Sequence, residues 1–176
     1  MNALEAIRMR RSVREYSTKP LPPEVLSQMR QALRAAPSAC NFQPWRFVLV
    51  TDPQQRRELA QAANGQTWMA DAPVTVVACG LADQAYKKMG GRGNSVEVDV
   101  AIAVDHLTLA AVDGGLGTCW IGAFDEKKVK RLLDIPAEVK VVAITPLGYP
   151  ARAGLNRPLE DRLRKDEAEI FSMERY

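Results

Sequence analysis

The sequence predicts a mixed α/β fold, with helices packed on the faces of a buried sheet. Three observations carry this. Segments alternate in the order helix, strand, helix, strand, helix, strand, helix, strand. Phe47-Val-Leu-Val50 is a continuous apolar run, as expected of a strand buried on both faces, and Val74 to Cys79 reads as a second buried strand. Proline, glycine and aspartate punctuate the segment ends.

Taken in order, the spacing predicts a short helix over Ala3 to Met9. Pro20, Pro22 and Pro23 break the chain, and a helix follows from about Pro23 to Ala35. Its Val25, Leu26, Met29 and Leu33 fall on one face, and Pro37 ends it. Arg46 to Thr51 reads as a strand. Asp52-Pro53 combines an N-cap with proline at the first helical position, and Gly65 closes that helix. Residues 81–95 form a polar, glycine-containing loop and a candidate lid. The helix from Val96 to Val112 is apolar nearly all round, so it is buried on more than one side, in part by a second subunit. Gly114, Gly115 and Gly117 break it. Thr118 to Ile121 begin another strand, Asp125 caps a helix to about Asp134, and Val139 to Thr145 form a strand ended by Pro146. Residues from about 151 form a C-terminal arm.

The 176 residues suit one domain, 1–176, with a real core. Hydrophobic residues at 47% and charged residues at 26% describe a globular chain rather than a disordered one. No apolar run reaches the roughly 18 residues of a membrane span, so no membrane partner is expected. The N-terminus lacks an apolar h-region, and Cys40, Cys79 and Cys119 are odd in number and widely spaced. Both features point to reduced thiols and a cytoplasmic location. One histidine and no paired cysteines leave no metal site to propose. The net charge of +3 does not announce a nucleic-acid partner. Residues 1–34 nevertheless hold seven Lys/Arg against three acids, a focused excess that suits a discrete anionic ligand.

That excess centres on Arg8, Arg10, Arg11 and Arg14, with Ser12 among them. Guanidinium groups bind phosphate oxygens through paired, charge-assisted bonds, so this is a seat for a phosphate monoester. An exposed basic helix end is the other reading. Pro37-Ser-Ala-Cys-Asn-Phe-Gln-Pro-Trp45 is a polar loop before a strand; it is either a simple connection or the edge of a site for a flat heterocycle. Gly114-Gly-Leu-Gly-Thr-Cys-Trp-Ile-Gly122 lacks the spacing of a P-loop or dinucleotide fold. Its glycines either let backbone approach a planar ring or stop a helix. His106 reads as a packed histidine. Asp99 and Asp105, six apart, do not stack on one helix face.

Together these segments resemble the nitroreductase family of flavin-dependent oxidoreductases. The resemblance rests on Arg10-Arg-Ser-Val-Arg14, Ala36-Pro-Ser-Ala-Cys-Asn-Phe-Gln-Pro-Trp45, Asp71-Ala-Pro73, Gly115-Leu-Gly-Thr-Cys-Trp-Ile-Gly122 and Gly148-Tyr-Pro150, in that order. It implies an α+β fold with a mixed sheet, helices on both faces and an intertwined homodimer. It implies FMN at the subunit interface, NADH or NADPH as electron donor, and ping-pong reduction of nitroaromatics, quinones or similar small acceptors. Carried over by position, Arg10 and Ser12 bind the FMN phosphate with help from Arg11, and Arg14 approaches the ribityl chain and the N1/O2 edge. Pro37, Ser38 and Ala39 line a ring edge, and Asn41 reaches FMN from the partner subunit. Ile121 and Gly122 offer backbone near N5, Arg157 returns to the phosphate, and Gln66 is a further candidate for the pyrimidine edge. No acid/base residue is required. Alternatives are a reductive dehalogenase or flavin-consuming relative, which an ordered lid at 81–95 would favour, and a non-catalytic flavin sensor.

Overall fold

Asn2 starts the first helix through a reciprocal cap. Its side chain accepts from the Glu5 N–H at 2.9 Å, and the Glu5 carboxylate accepts from the Asn2 N–H at 2.8 Å. The helix so started, α1, spans Ala3–Met9, as the spacing predicts. This computed structural model describes residues 1–91 and 93–176; Arg92, in the polar loop, lies outside the described residues. After α1 come α2 (Pro23–Arg34), β1 (Trp45–Val50), α3 (Pro53–Ala62), β2 (Val74–Gly80) and α4 (Val96–Asp113). Then follow β3 (Gly117–Thr118), α5 (Glu126–Leu132), β4 (Lys140–Gly148) and α6 (Glu167–Ile170). The strands form one sheet in the order β1-β2-β4-β3, with every named neighbour antiparallel. A parallel bridge joins Ser12 to Thr118, so both kinds of pairing occur.

Side-chain alternation along β2 divides the core into two layers. Val77 and Cys79 pack with Leu59, Met69 and Val129, beneath α3 and α5. Val74 and Val76 pack with Met29, Leu33, Leu107 and Ala111, beneath α2 and α4, and Ala78 packs with Val100 and Val104. Helices thus cover both faces of an α+β fold. Every residue of β2 is buried, as read from its sequence.

β1 departs from expectation. It is the edge strand, and only Val50 is fully buried; Phe47 and Leu49 stay half-buried beside a groove lined by Arg30 and Arg34. An apolar run records the need for cover on two faces but not whether a single chain supplies it. β4 departs too, because it runs through Pro146 to Gly148. Ile144 exchanges both backbone hydrogen bonds with Ile121, at 2.9 and 3.0 Å. The next residue of the same parity, Pro146, therefore directs its missing N–H toward the β3 side. There, opposite Cys119, the pairing lapses between Thr118 and Ile121, so the proline forfeits no bond. For the same reason the expected strand from Thr118 to Ile121 is only a two-residue strand and an isolated bridge.

In the loop after β2, Ser95 N–H donates to Tyr86 O at 2.9 Å and Lys87 Nζ to Asp83 O at 2.6 Å. α4 packs against α1, α2 and the sheet, yet Val98 remains 44% exposed, and Leu4 and Ile7 of α1 are exposed as well. Among the described residues no helix is long and apolar enough to cross a membrane.

Tyr16 fastens the segment after α1. It is buried, its hydroxyl donates to Val13 O at 2.8 Å, and its ring stacks on Trp68 with centroids 6.3 Å apart. Burial raises its phenol well above the ordinary 10.0. The unfolded chain would lose this proton near pH 10 while the folded chain keeps it. The stability this contributes is therefore intact below pH 10 and declines as pH rises further. Denaturant titrations from pH 8 to 11.5 are expected to show that decline, at up to about 1.4 kcal/mol per pH unit. Tyr16→Phe should flatten the slope; an unchanged slope would assign it elsewhere.

Candidate functional site

α1 ends at Met9, and Arg10 leaves it in extended conformation (φ −61°, ψ 126°). The extended segment lies along β3, where Val13 N–H donates to Thr118 O at 2.9 Å. Gly117 makes this approach possible: a Cβ there would lie 2.7 Å from Val13 Cγ2 and 2.8 Å from Val13 Cβ. The glycine-rich motif thus docks the arginine segment. Gly148 similarly admits Pro73, since a Cβ on it would lie 2.5 Å from Pro73 Cδ. Two further motifs therefore meet in space.

The arginine segment gathers charge. Burial lowers the Arg11 guanidinium below its usual range, and the positive charges of Arg10, Arg164 and Arg157 lower it further, against the opposing Glu160. Arg157 thus stands near Arg11 with Arg10. Arg164, from the C-terminal arm, joins as well; the sequence reading missed it because the arm lacks a pattern that fixes its path. Asn156 ties the arm down by donating from Nδ2 to Leu116 O at 2.8 Å. Arg11 donates to the Arg8 carbonyl at 2.6 Å and to the Arg10 carbonyl, so it caps α1 with part of its donor set. Burial pushes the Cys119 thiol up, and Arg14, Ser12 and Arg10 oppose that shift. Arg10, Ser12 and Arg14 therefore share one neighbourhood. Mutually repelling guanidinium groups beside a hydroxyl are a donor set that a phosphate dianion fits.

The polar loop is strained. Cys40, Asn41 and Gln43 have φ of 52°, 56° and 52°, half of the six non-glycine residues at positive φ among the described residues. Such conformers cost about 1–2 kcal/mol for ordinary side chains and persist where the surroundings over-determine them. Ser38 Oγ accepts from Gln43 N–H at 2.8 Å, and Gln43 Nε2 donates to Asn41 O at 3.1 Å. Ala39 N–H donates to Oδ1 of buried Asp99 at 3.0 Å. Sequence spacing gave Asp99 no role, because its partner is 60 residues distant and leaves no local signal.

The two halves lie at opposite ends of α4. The loop joins its first turn through Asp99, and the arginine segment joins β3, beyond its last turn. From Asp99 to Asp113 the helix rises ~21 Å, which keeps the two groups apart. One chain therefore brings together Arg10, Arg11, Ser12, Arg14 and Arg157, and separately Pro37, Ser38, Ala39 and Asn41. Gln66 sits after α3, where its Nε2 donates to Ala63 O at 3.0 Å. Ile121 is buried, and its N–H and C=O are both bonded to Ile144. The next residues, Gly122 and Ala123, are exposed and have no backbone partner for their N–H groups among the described residues. Gly122 lines a cleft of about 450 Å³ with Trp120, Phe124, Glu97 and Lys140.

A model of the nitroreductase family matches residues 7–67 and 61–149. The chain belongs to the nitroreductase family. A Thermus thermophilus relative named NADH dehydrogenase is 31% identical over 183 residues, covering 88% of this chain and 89% of its own. A Bacillus subtilis relative named FMN reductase [NAD(P)H] is 32% identical over 164 residues, covering 84% of this chain and 66% of its own. A nitroreductase family protein from Clostridium difficile 630 superposes with a TM-score of 0.88 at 26% identity, with both chains covered in full. The matched residues contain four of the five motifs in full and Gly148-Tyr149 of the fifth, and they end before Pro150 and the arm.

Proposed function

We propose that this chain is an FMN-dependent oxidoreductase that takes electrons from NADH or NADPH and passes them to nitroaromatics, quinones or similar electron-poor acceptors. The observation that carries the reading is the docking of the Arg10–Arg14 segment on β3, with Asn156, the neighbour of Arg157, tied to the same turn. In this reading Arg10, Ser12 and Arg157 hold the phosphate, and Arg14 lies toward the N1/O2 edge, where its charge favours electron density on the ring. FMN, when bound, supplies the redox chemistry. A second copy of the chain brings its own Pro37–Asn41 loop to the ring, which accounts for the separation along α4. The exposed Leu4, Ile7 and Val98 supply apolar surface for that homodimer. Gly122 borders the ring's N5 side.

The test is an absorption spectrum of the purified protein, followed anaerobically as NADH and then NADPH are added. Flavin bands that bleach with either donor are expected, as is a dimer's mass by sedimentation. Bound flavin that stays oxidised with both would favour a cofactor sensor. Protein that neither carries nor takes up FMN would end the reading.

A further inference from the structure

We propose that Asp99 is the positioning residue that presents the Pro37–Asn41 loop to the flavin ring; the inference rests on the FMN reading above. Asp99 is only 2% exposed. A buried carboxylate persists where its oxygens are bonded, and both oxygens of Asp99 are. Oδ2 accepts from Ser95 Oγ at 2.6 Å, within its own helix turn. Oδ1 accepts from Ala39 N–H at 3.0 Å, in the other element.

The rest of the loop's bonding is internal. Asn41 N–H donates to Ser38 O at 3.0 Å, Phe42 N–H to Ala39 O at 3.1 Å and Gln43 N–H to Ser38 Oγ at 2.8 Å. At its far end Pro44 O accepts from Leu81 N–H at 2.9 Å. The near end is held by Asp99. Internal bonds define the shape of a loop but not where it stands. Cys40, Asn41 and Gln43 at positive φ make that shape unfavourable for a free chain. Ser95 orients the carboxylate, the carboxylate fixes Ala39, and Ala39 sets where Ser38 and Asn41 stand. This role acts on the ring end of the cofactor and not on its phosphate.

That distinction supplies the test. Full-length apo-protein is titrated with FMN and with riboflavin, which lacks the phosphate, and flavin fluorescence quenching gives each Kd. Three variants are compared: Asp99→Ala, Asp99→Asn and Ala39→Pro. Asp99→Asn keeps a carbonyl oxygen for Ala39 and an N–H for Ser95. Ala39→Pro deletes the donor and leaves Asp99 in place; Ser38 is already extended (φ −142°, ψ 160°), as a residue before proline should be. Asp99→Ala and Ala39→Pro are expected to weaken both flavins by the same factor, at least tenfold, so the FMN-to-riboflavin ratio is kept. Asp99→Asn is expected within threefold of the parent.

If Ala39→Pro binds both flavins as the parent does, the proposal is overturned, whether or not Asp99→Ala folds. A merely structural Asp99 would lower Tm and leave the Kd of folded protein unchanged; that result overturns the proposal too. So does a loss confined to FMN. Failure of the parent chain to bind either flavin would instead reject the FMN reading itself.

Discussion

Replacing Arg10 with alanine is expected to weaken FMN binding about 100-fold while riboflavin binding stays within twofold of the parent. A guanidinium meeting a phosphate makes charge-assisted hydrogen bonds, each worth about 1.5–3 kcal/mol. Loss of one such arginine, with its neighbours partly compensating, costs about 2.7 kcal/mol, or 100-fold in Kd. The neighbours matter because Arg10 is one of several guanidinium groups acting on Arg11, so removing it also relieves repulsion in the apo-protein. The apo-protein of Arg10→Ala should therefore be no less stable than the parent. Its FMN affinity should depend less steeply on salt, since one cation fewer neutralises the ligand. Fluorescence titrations with both flavins at two salt concentrations check these outcomes together. Equal losses for FMN and riboflavin would show that the cluster does not hold the phosphate.

This convergence was only partly legible in the sequence. Arg10, Ser12 and Arg14 lie within five residues, so a local pattern announced them. α3 and α5 were legible for the same reason, because Asp52 and Asp125 cap them through bonds to residues three positions on. What the sequence hid depends on partners far along the chain. Asp99 meets Ala39 across 60 residues. Pro146 is tolerated only because Cys119 stands opposite a lapse in pairing, which no local rule anticipates. The strand expected from Thr118 to Ile121 shrinks because the bridge from Ile121 to Ile144 is a single isolated pair. The half-exposed β1 belongs to another class: its apolar run gave no sign that it would stand at the sheet edge.

Gly117→Ala is expected to lower stability by about 1–3 kcal/mol and to remove most FMN binding, although residue 117 contacts no ligand in this reading. The added Cβ would stand 2.7 Å from Val13 Cγ2, 2.8 Å from Val13 Cβ and 3.0 Å from Val13 Cγ1. The Val13 side chain cannot turn aside in place, because it is buried with Tyr16 and Ala72 and its carbonyl accepts from the Tyr16 hydroxyl. Overpacking in a closed core costs about 1–3 kcal/mol, which sets the stability figure. The functional loss is larger because the strain is relieved by lifting the segment that carries Arg10, Ser12 and Arg14 away from β3. That movement breaks the Val13–Thr118 hydrogen bond and parts the arginines from Arg157, which the Asn156–Leu116 bond holds on the β3 side. Adding Val13→Ala removes two of the three close contacts, so the double variant should recover part of both losses. Such coupling is the signature of two residues in direct contact. Denaturant unfolding and FMN titration of the four proteins measure it. Strictly additive losses would mean that Gly117 serves the site by some route other than seating the arginine segment.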